Sequence, residues 1–280
     1  FWAFCAPCCI LFGVFFLVPL VLSIAFSFTN YDGWKTIDFV GLTNYITLFK
    51  DSKFYLSLGR TLLYTVCTLP FRVIIPLLVA VLLCSKRVAG KSLTRTMVYI
   101  PVLMSALVVG ITINWMFSQE YGLVNFIIRS LGGTALEWSL NPRLATFVIA
   151  FASVWASIGF NMILYIGGIN SISNDLYEAA TIDGASGVQA FFRITVPMLA
   201  PTTFMVVLLS TVNLLKEYAL VQGITQGGPG LSTTFIIQYI FDKGFNQMQY
   251  GYASAISTVV MIIFALIAFA QFKVNNGGET

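Results

Sequence analysis

Histidine is absent from this sequence of 280 residues, and charge is scarce. Asp, Glu, Lys and Arg together make up 9% of the residues, whereas soluble globular domains carry about 25%. Without histidine, a serine or cysteine nucleophile lacks its usual base, and so few charges cannot cover the surface of a soluble fold. We therefore expect a chain that is not an enzyme and that does not fold as a soluble domain.

Cysteine is also sparse, with five in the chain. All five lie within or beside apolar runs, where cysteine behaves as a small hydrophobic residue: Cys5, Cys8, Cys9, Cys67 and Cys84. The cluster formed by the first three resembles half of a metal knuckle, but no second pair of ligands follows it. We predict no metal site.

A complete phosphate-binding loop is missing as well. Gly90-Lys91-Ser92 matches the end of such a loop, but Ser85 stands where its first glycine belongs and no strand is predicted before it. The chain is therefore not expected to hydrolyse ATP or to bind a cofactor. Its formal net charge is +4, without the basic stripe that marks a nucleic-acid-binding protein.

Long hydrophobic runs are what the sequence has instead, since 58% of its residues are hydrophobic. A helix of about 20 apolar residues crosses the ~30 Å hydrocarbon core of a bilayer. We predict an all-α polytopic membrane protein, with a single transmembrane domain over residues 1–280 and six spans. The first run is too long for a signal-peptide core and should stay as a span. The spans lie near residues 4–28, 58–84, 96–118, 144–170, 197–222 and 251–273.

The short segment 85–95 indicates the orientation of the bundle. Positive residues in short loops mark the cytoplasmic side of a membrane protein, and an even number of spans then places both termini in the cytoplasm. The basic residues of this segment are Lys86, Arg87, Lys91 and Arg95. The segments expected on the outer side are 29–57, 119–143 and 223–250.

The segment between the fourth and fifth spans differs from the other loops. Residues 175–201 read DLYEAATIDGASGVQAFFRITVPMLAP. We predict a short helix over residues 176–182, ended by Asp183-Gly184, because glycine readily adopts the left-handed turn that closes a helix. The small side chains of Ala179 and Ala180 leave a face that a groove of another protein could contact. On physical grounds alone, an ordinary interfacial helix would look the same.

Three stretches of the sequence resemble motifs of one known family. Residues 178–197 resemble the EAA loop of binding-protein-dependent ABC importer permeases. A turn after the fifth span resembles the T-x-GGP turn of the sugar-permease branch, and FVGLTNY over residues 39–45 resembles its F-x-G-L-x-N-[FY] segment. The one departure is Val196 in place of the usual leucine before Pro197. The matching residues are Glu178-Ala179-Ala180, Asp183-Gly184-Ala185, Ile194 and Pro197 in the loop, and Thr225 and Gly227-Gly228-Pro229 in the turn.

This resemblance implies an inner-membrane permease subunit of a carbohydrate importer of the maltose type, in a bacterial or archaeal cell membrane. In that family the loop corresponding to residues 171–196 forms a cytoplasmic coupling helix that docks into a cleft of the ATPase subunit. The residues implied in coupling are Glu178, Ala179, Ala180, Asp183 and Gly184. The long outer loops, including residues 227–230, would contact the binding protein.

The resemblance also implies a set of partners in a hetero-oligomer. These are a second, homologous permease subunit, two nucleotide-binding ATPase subunits that use ATP and Mg, and an extracytoplasmic substrate-binding protein. The chain itself is expected to bind the lipid bilayer, no nucleic acid and no cofactor.

Two polar stripes suggest a path for the substrate. Helical spacing places Ser153, Ser157 and Asn161 on one face of the fourth span, and Ser210, Asn213 and Glu217 on one face of the fifth. We predict a shared polar cavity, although serines also allow helices to approach closely and to hydrogen-bond across a bundle. In sugar permeases that resemble this chain, side chains of these two spans line the translocation site. By this resemblance, Ser157 and Ser210 are the residues most expected to line it here.

Two cations within the spans need an explanation. Arg72 lies near the middle of the second span, where an unpaired charge costs at least ~2.5 kcal/mol. By helix rise, Glu217 should lie about 10 Å nearer the outer face, beyond the reach of Arg72. We therefore expect Arg72 to face a water-filled cavity or a partner subunit. Alternatively, Arg72 and Lys216 could hold the carboxylates of an acidic sugar.

Other transport functions stay open on the sequence alone. The same machine could import an acidic glycan, a phosphodiester or a polyamine. A stand-alone secondary transporter or channel could use Arg72, Lys216 and Glu217 as a proton or ion relay. Such a relay would explain the charges within the spans, but it would not explain the EAA loop.

Overall fold

The computed structural model describes residues 2–34, 37–85 and 90–276. Within these ranges the only extended pairing is an isolated antiparallel bridge between Thr29 and Phe39, and the remaining regular structure is helical. The predicted all-α class is therefore confirmed. Lys86 and Arg87, on which the predicted orientation partly depends, lie outside the described residues.

Helices of very different lengths follow one another along the chain. The α-helices are Trp2–Phe12, Val18–Phe26, Thr43–Phe49, Ser52–Cys84, Lys91–Tyr99, Ala106–Met116, Leu123–Ser130, Pro142–Asn170, Asn174–Ile182, Gly187–Ala190, Val196–Met198, Ala200–Leu215, Ala219–Ile224, Ile236–Phe241 and Tyr250–Asn276. Wider π-helical turns occur at Gly13–Leu17, Phe191–Thr195 and Asp242–Asn246, and a 3₁₀ turn occurs at Ile100–Leu103.

Four helical segments among the described residues are long and apolar enough to cross a membrane without a break. They are Cys5–Phe26, Ser52–Cys84, Pro142–Asn170 and Tyr250–Val274. The longest has 33 residues and measures about 50 Å at 1.5 Å per residue, so it extends beyond the hydrocarbon core. These helices correspond to the first, second, fourth and sixth predicted spans.

The other two predicted spans are bent rather than straight. Lys91–Leu103 and Ala106–Met116 meet at 100°, and Gly187–Met198 and Ala200–Leu215 meet at 67°. Prolines explain the breaks, because each lacks the N–H that continues a helix. Pro101 lies in the 3₁₀ turn just before the first break, and Pro197 and Pro201 flank the second. The count is therefore four spans, or up to six when each bent pair is one span.

The fifth predicted span is also shorter than expected. We predicted that it reaches residue 222, but its helix ends at Leu215, with Lys216 as the C-cap residue. A separate short helix, Ala219–Ile224, follows. Helical spacing within residues 197–222 therefore holds only as far as Leu215, and Glu217 lies beyond the helix.

The described chain divides into two compact units, and the first runs to Gly59 and resumes over Phe235–Asn276. Its apolar core packs Thr43–Phe49 and the start of Ser52–Cys84 against Ile236–Phe241 and Tyr250–Asn276. The core residues are Leu48, Phe54, Ile236, Tyr239, Ile256 and Val260. Asn44 stabilises the turn before this core, because its side-chain amide donates to the carbonyls of Ser27 and Thr29, at 2.8 Å each.

The second unit, Arg60–Thr234, contains the remaining membrane helices. Two glycines set the packing of Ala106–Met116 against Ala219–Ile224: a Cβ on Gly110 would lie 3.0 Å from the Cα of Gly223. The prediction of one domain over residues 1–280 stays a prediction. The apolar core of this unit consists of Ala80, Leu83, Met162, Tyr165, Ile166, Ile172, Leu199 and Val206.

Candidate functional site

Four polar residues form a cluster inside the membrane helices of the second unit. Arg72, Ser153, Asn161 and Ser210 are each at most 6% exposed, and we call them the buried polar cluster. They come from three helices, namely Ser52–Cys84, Pro142–Asn170 and Ala200–Leu215. The cluster therefore links the second, fourth and fifth predicted spans.

Asn161 is the centre of this cluster. Its side-chain nitrogen donates to the backbone carbonyl of Arg72 at 2.9 Å and to the hydroxyl oxygen of Ser210 at 3.2 Å. One side chain thus connects the two other helices. The predicted meeting of the polar stripes on the fourth and fifth spans occurs at this pair, Asn161 and Ser210.

Arg72 has a different environment from the one we expected. Its guanidinium donates through Nε and Nη2 to the carbonyl of Ser153, at 3.2 and 3.0 Å. The side chain is 6% exposed within this chain alone, so it faces neither open water nor a surface for a partner subunit. Multiple hydrogen bonds to a carbonyl are one way to lower the cost of a charge at membrane depth.

Glu217 is the acidic residue that the sequence places beyond the reach of Arg72. Its carboxylate is buried and accepts the backbone N–H of Leu220 at 3.2 Å. The charges of Glu217 and Arg72 act on each other electrostatically. No ion pair joins the two side chains among the described residues, so the predicted separation stays a prediction. Glu217 lies past the end of Ala200–Leu215 and does not follow the geometry of that helix.

The other predicted substrate-path residues do not join the cluster. Ser157 is half-buried, and its hydroxyl donates to the carbonyl of Val154 in its own helix at 2.9 Å. Asn213 and Lys216 are exposed. Lys216 and Arg72 therefore do not share an environment within this chain, as a clamp on an acidic sugar would require.

The loop helix, Asn174–Ile182, lies where the EAA pattern predicted a helix. It begins two residues earlier than expected, because the hydroxyl of Ser173 caps it by accepting the N–H of Asp175 at 3.2 Å. Asp183 ends it, and Gly184 follows with φ +76°. Glycine adopts this left-handed conformation without steric cost, so the sequence prediction of the helix end is confirmed.

One side of the loop helix is exposed. Glu178, Ala179, Asp183 and Gly184 are exposed, and Ala180 is half-buried. Ile182 is 87% exposed and Val188, in the short helix that follows, is 68% exposed. Exposed apolar side chains next to small residues are typical of a surface that another protein covers.

The opposite side of the loop helix is attached to the bundle. The hydroxyl groups of Tyr177 and Thr195 are 2.9 Å apart and share a hydrogen bond. Tyr177 and Ile194 also contact the apolar core of the second unit. The sequence reading missed this attachment, although Tyr177 is the one aromatic residue of the loop helix and could have been singled out for that reason.

The turn that resembles T-x-GGP is held together by hydroxyl groups. Thr233, which is fully buried, shares a 2.7 Å hydrogen bond with Thr225 and donates to the carbonyl of Gly228 at 2.6 Å. The N–H of Gly227 donates to the hydroxyl of Thr225 at 3.3 Å. The turn residues thus have a structural role, and their contact with a binding protein stays a prediction.

Comparisons with known proteins decide the family. The model of one family, described as the binding-protein-dependent transport system inner membrane component, matches residues 42–276. The chain belongs to this family. With its several long apolar helices, this permease is a multi-pass protein of the inner membrane.

Several curated relatives of the permease are named as transport system permease proteins for sugars. The arabinooligosaccharide permease protein AraP of Bacillus subtilis is 32% identical over 279 residues, which is 98% of this chain and 88% of the relative. The lactose permease protein LacF of Rhizobium radiobacter is 32% identical over 97% of this chain and 92% of its own. The trehalose/maltose permease protein MalF of Thermococcus litoralis is 33% identical over 85% and 80%.

Solved structures confirm the fold of the permease. A bacterial ABC transporter that imports the acidic polysaccharide alginate has a chain with a TM-score of 0.85 and 24% identity, covering 98% of this chain and 94% of that one. A bacterial alginate ABC transporter in complex with a periplasmic protein that holds an alginate pentasaccharide gives 0.83 and 23%, over 96% and 91%. At these identities the likeness shows the fold alone.

Proposed function

We propose that the permease is one membrane subunit of an ATP-driven importer that moves a sugar or oligosaccharide into the cytoplasm by alternating access. The main observation in support of this function is the loop helix. One face of this helix is attached to the bundle, and the other has exposed apolar and small residues. The sugar follows from the names of relatives that match nearly the whole chain.

Six spans suit this function, with each bent pair counted as one. The loop helix and both termini then lie in the cytoplasm. The two ATPase subunits bind to the permease on this side, and they hydrolyse ATP with Mg. Glu178, Ala179, Ala180, Asp183 and Gly184 form the contact with one of these subunits. Movement of the loop helix passes to the bundle through Tyr177 and the chain that leads into Ala200–Leu215.

The complete importer also contains a second, homologous permease subunit and an extracytoplasmic binding protein. The substrate passes between the two permeases, along a path that includes Ser157 and Ser210. The exposed side chains of Asn213 and Lys216 are available to this path or to the second permease. The buried polar cluster fixes the helices beside it.

A stand-alone secondary transporter is the competing function. A proton or ion relay needs charged groups that water can reach, but Arg72 and Glu217 are buried and bonded to backbone groups. Such a transporter would also leave the exposed face of the loop helix without a use. Import of an acidic glycan by the ATP-driven machine is a question of substrate and leaves the mechanism unchanged.

The test is ATP-coupled uptake in vesicles that contain the permease with its partner subunits. Gly184→Asp and Glu178→Lys should keep the binding of the substrate-binding protein but lose ATPase stimulation and uptake. Gly184→Asn is the matched control, because asparagine has the size of aspartate and tolerates the left-handed backbone without adding charge. Normal coupling in Gly184→Asp and Glu178→Lys would contradict the proposed function of the loop.

A further inference from the structure

The first unit contains a cleft that the proposed transport path does not use. Its volume is about 950 Å³, within the range of roughly 300–1,000 Å³ that is typical of small-molecule sites. The walls come from residues 30–53 and 239–252. Both segments belong to the first unit, and the cleft shares no residue with the buried polar cluster.

Aromatic rings form much of the surface of this cleft. Tyr31, Trp34, Tyr239 and Tyr252 all line it, and Trp34 is 86% exposed. An indole ring exposed to this extent offers a large flat apolar face to a ligand. Sugar rings carry C–H groups on their faces and stack on such surfaces.

Polar side chains with flexible donors and acceptors stand beside these rings. Lys50, Lys53 and Gln249 line the cleft and are exposed. Ammonium and amide groups of this kind can reach the hydroxyl groups at the edge of a sugar ring. Exposed aromatic faces beside amide and ammonium groups suit a carbohydrate, which has apolar ring faces and polar hydroxyl edges.

One wall of the cleft is fixed in place by Asp51. Its carboxylate accepts hydrogen bonds from the hydroxyls of Tyr239 and Tyr252, the latter at 2.7 Å, and from the backbone N–H of Lys53 at 2.9 Å. The ammonium of Lys243 lies 5.7 and 5.8 Å from the centres of the two tyrosine rings, as in cation–π pairs. Both rings are therefore held in position before any ligand binds.

Asp51 is suited to this role because it stays ionised. Burial alone would raise the pKa of this carboxyl, but the hydroxyls of Tyr239 and Tyr252 and the N–H groups of Lys53 and Phe54 outweigh burial and lower it. A charged acceptor makes stronger hydrogen bonds than a neutral one. A ligand thus meets a surface that needs little rearrangement, which favours affinity.

We propose that this cleft is a carbohydrate subsite, which holds one or two sugar units of an oligosaccharide before they reach the transmembrane path. The proposal rests on the proposed function for the class of ligand. The cleft is assigned to the outer side of the membrane by the predicted orientation, in which segments 29–57 and 223–250 both lie outside. Trp34 provides the stacking surface, and Gln249 and the lysines bind the hydroxyl groups.

Binding to the complete importer in lipid nanodiscs tests this proposal. Arabinopentaose and maltopentaose serve as probes, with alginate pentasaccharide as the acidic counterpart, and calorimetry measures the dissociation constants without ATP and without the binding protein. Trp34→Ala should weaken binding of the probe that the wild type binds by at least about tenfold, and Gln249→Ala by about threefold. Trp115→Ala is the matched control, because Trp115 is 75% exposed and lies in Ala106–Met116.

Photolabelling locates the sugar independently of these affinities. A diazirine derivative of the same oligosaccharide should label residues 30–34 or 247–252. Labelling confined to the helices of the buried polar cluster, or equal affinities for wild type and Trp34→Ala, would overturn the proposal. Protection of Trp34 from oxidation by the binding protein alone, with no effect of sugar, would overturn it as well and would assign the cleft to that protein.

ATP-dependent uptake by the same preparations separates the two proposals. If wild-type importer takes up sugar but Trp34→Ala binds sugar normally, only the carbohydrate subsite is wrong. If no sugar is taken up with ATP and the binding protein present, the proposed function itself is wrong.

Discussion

The membrane helices and the loop helix place side chains in opposite and unusual ways, since the first bury polar groups and the second exposes apolar ones. The helices bury the four residues of the buried polar cluster where apolar ones are expected, whereas the loop exposes Ile182 and Val188. Inside the helices the polar groups bond to one another and to backbone carbonyls. The fold itself thus accounts for the buried polar cluster, whereas the proposed function accounts for the exposed apolar residues of the loop.

This difference separates two kinds of functional evidence. A polar residue at membrane depth invites a role in transport, yet Arg72 and Asn161 are occupied in holding three helices together. An exposed isoleucine beside Ala179 and Ala180 is less conspicuous in a sequence, yet nothing within its own helix requires it. The two regions should therefore respond differently to substitution, in stability for the first and in coupling for the second.

Replacing the buried cation should have the largest effect on stability. Arg72→Leu removes both hydrogen bonds to the carbonyl of Ser153 and the positive charge that acts on buried Glu217, and an uncompensated buried charge costs about 3 kcal/mol. Thermal unfolding in nanodiscs measures the loss. Arg72→Leu combined with Glu217→Gln should recover part of it, and a double variant no more stable than the single one would show that the two charges are not coupled.

An acidic residue on the exposed apolar face should abolish coupling without affecting the fold. Ile182→Glu should weaken assembly with the ATPase subunits by about 2 kcal/mol, the loss typical of a central interface residue, which corresponds to roughly thirtyfold. Co-purification of the ATPase subunits measures this. Leu131→Glu is the matched control, because Leu131 is 83% exposed and lies outside the loop; an equal loss there would remove the distinction.

The central asparagine of the cluster should matter, whereas an exposed one nearby should not. Asn161→Leu loses hydrogen bonds to Arg72 and Ser210, and each is worth about 0.6 kcal/mol within membrane helices, so stability should fall by about 1 kcal/mol. Asn213→Leu should leave it unchanged, because Asn213 is exposed. Unfolding of both variants under identical conditions checks this, and equal destabilisation would contradict the pairing in the structure.

The attachment of the loop helix to the bundle should give the smallest effect. Tyr177→Phe removes one hydroxyl and its hydrogen bond to Thr195, worth about 0.6 kcal/mol. This free energy corresponds to about a two- to threefold change, so uptake per ATP hydrolysed should fall by that factor. The unfolding of the variant should change little. Thr195→Val should have the same effect, and the double variant should be no worse than either single one. Additive losses would mean that the two hydroxyls act separately.

The sequence predicts the main elements because their signals are local. Apolar runs of span length predicted the helices that became Ser52–Cys84 and Pro142–Asn170, and the Asp183-Gly184 pair predicted the end of the loop helix. The bends at 100° and 67° were missed, because an apolar run has the same composition whether it is straight or broken. The prolines marked the places, but membrane helices can also continue through proline, as Ser52–Cys84 does at Pro70 and Pro76.

The arrangement of the candidate sites is less accessible from sequence, for two physical reasons. Helical spacing is reliable only within one continuous helix, and the helix that was expected to contain Glu217 ends at Leu215. Long-range contacts leave no local signal either: Asp51 and Tyr252 are 201 residues apart in the chain and share a hydrogen bond. The cleft around them was therefore invisible to sequence reasoning.

The energy source of uptake distinguishes an ATP-driven importer from a secondary transporter. Vesicles containing the permease with its partner subunits and the binding protein are supplied either with ATP alone or with an imposed proton gradient alone, and accumulation of labelled arabino-oligosaccharide is followed. We predict uptake with ATP, which persists when a protonophore is added. Uptake that follows the proton gradient in vesicles without ATPase subunits would contradict it.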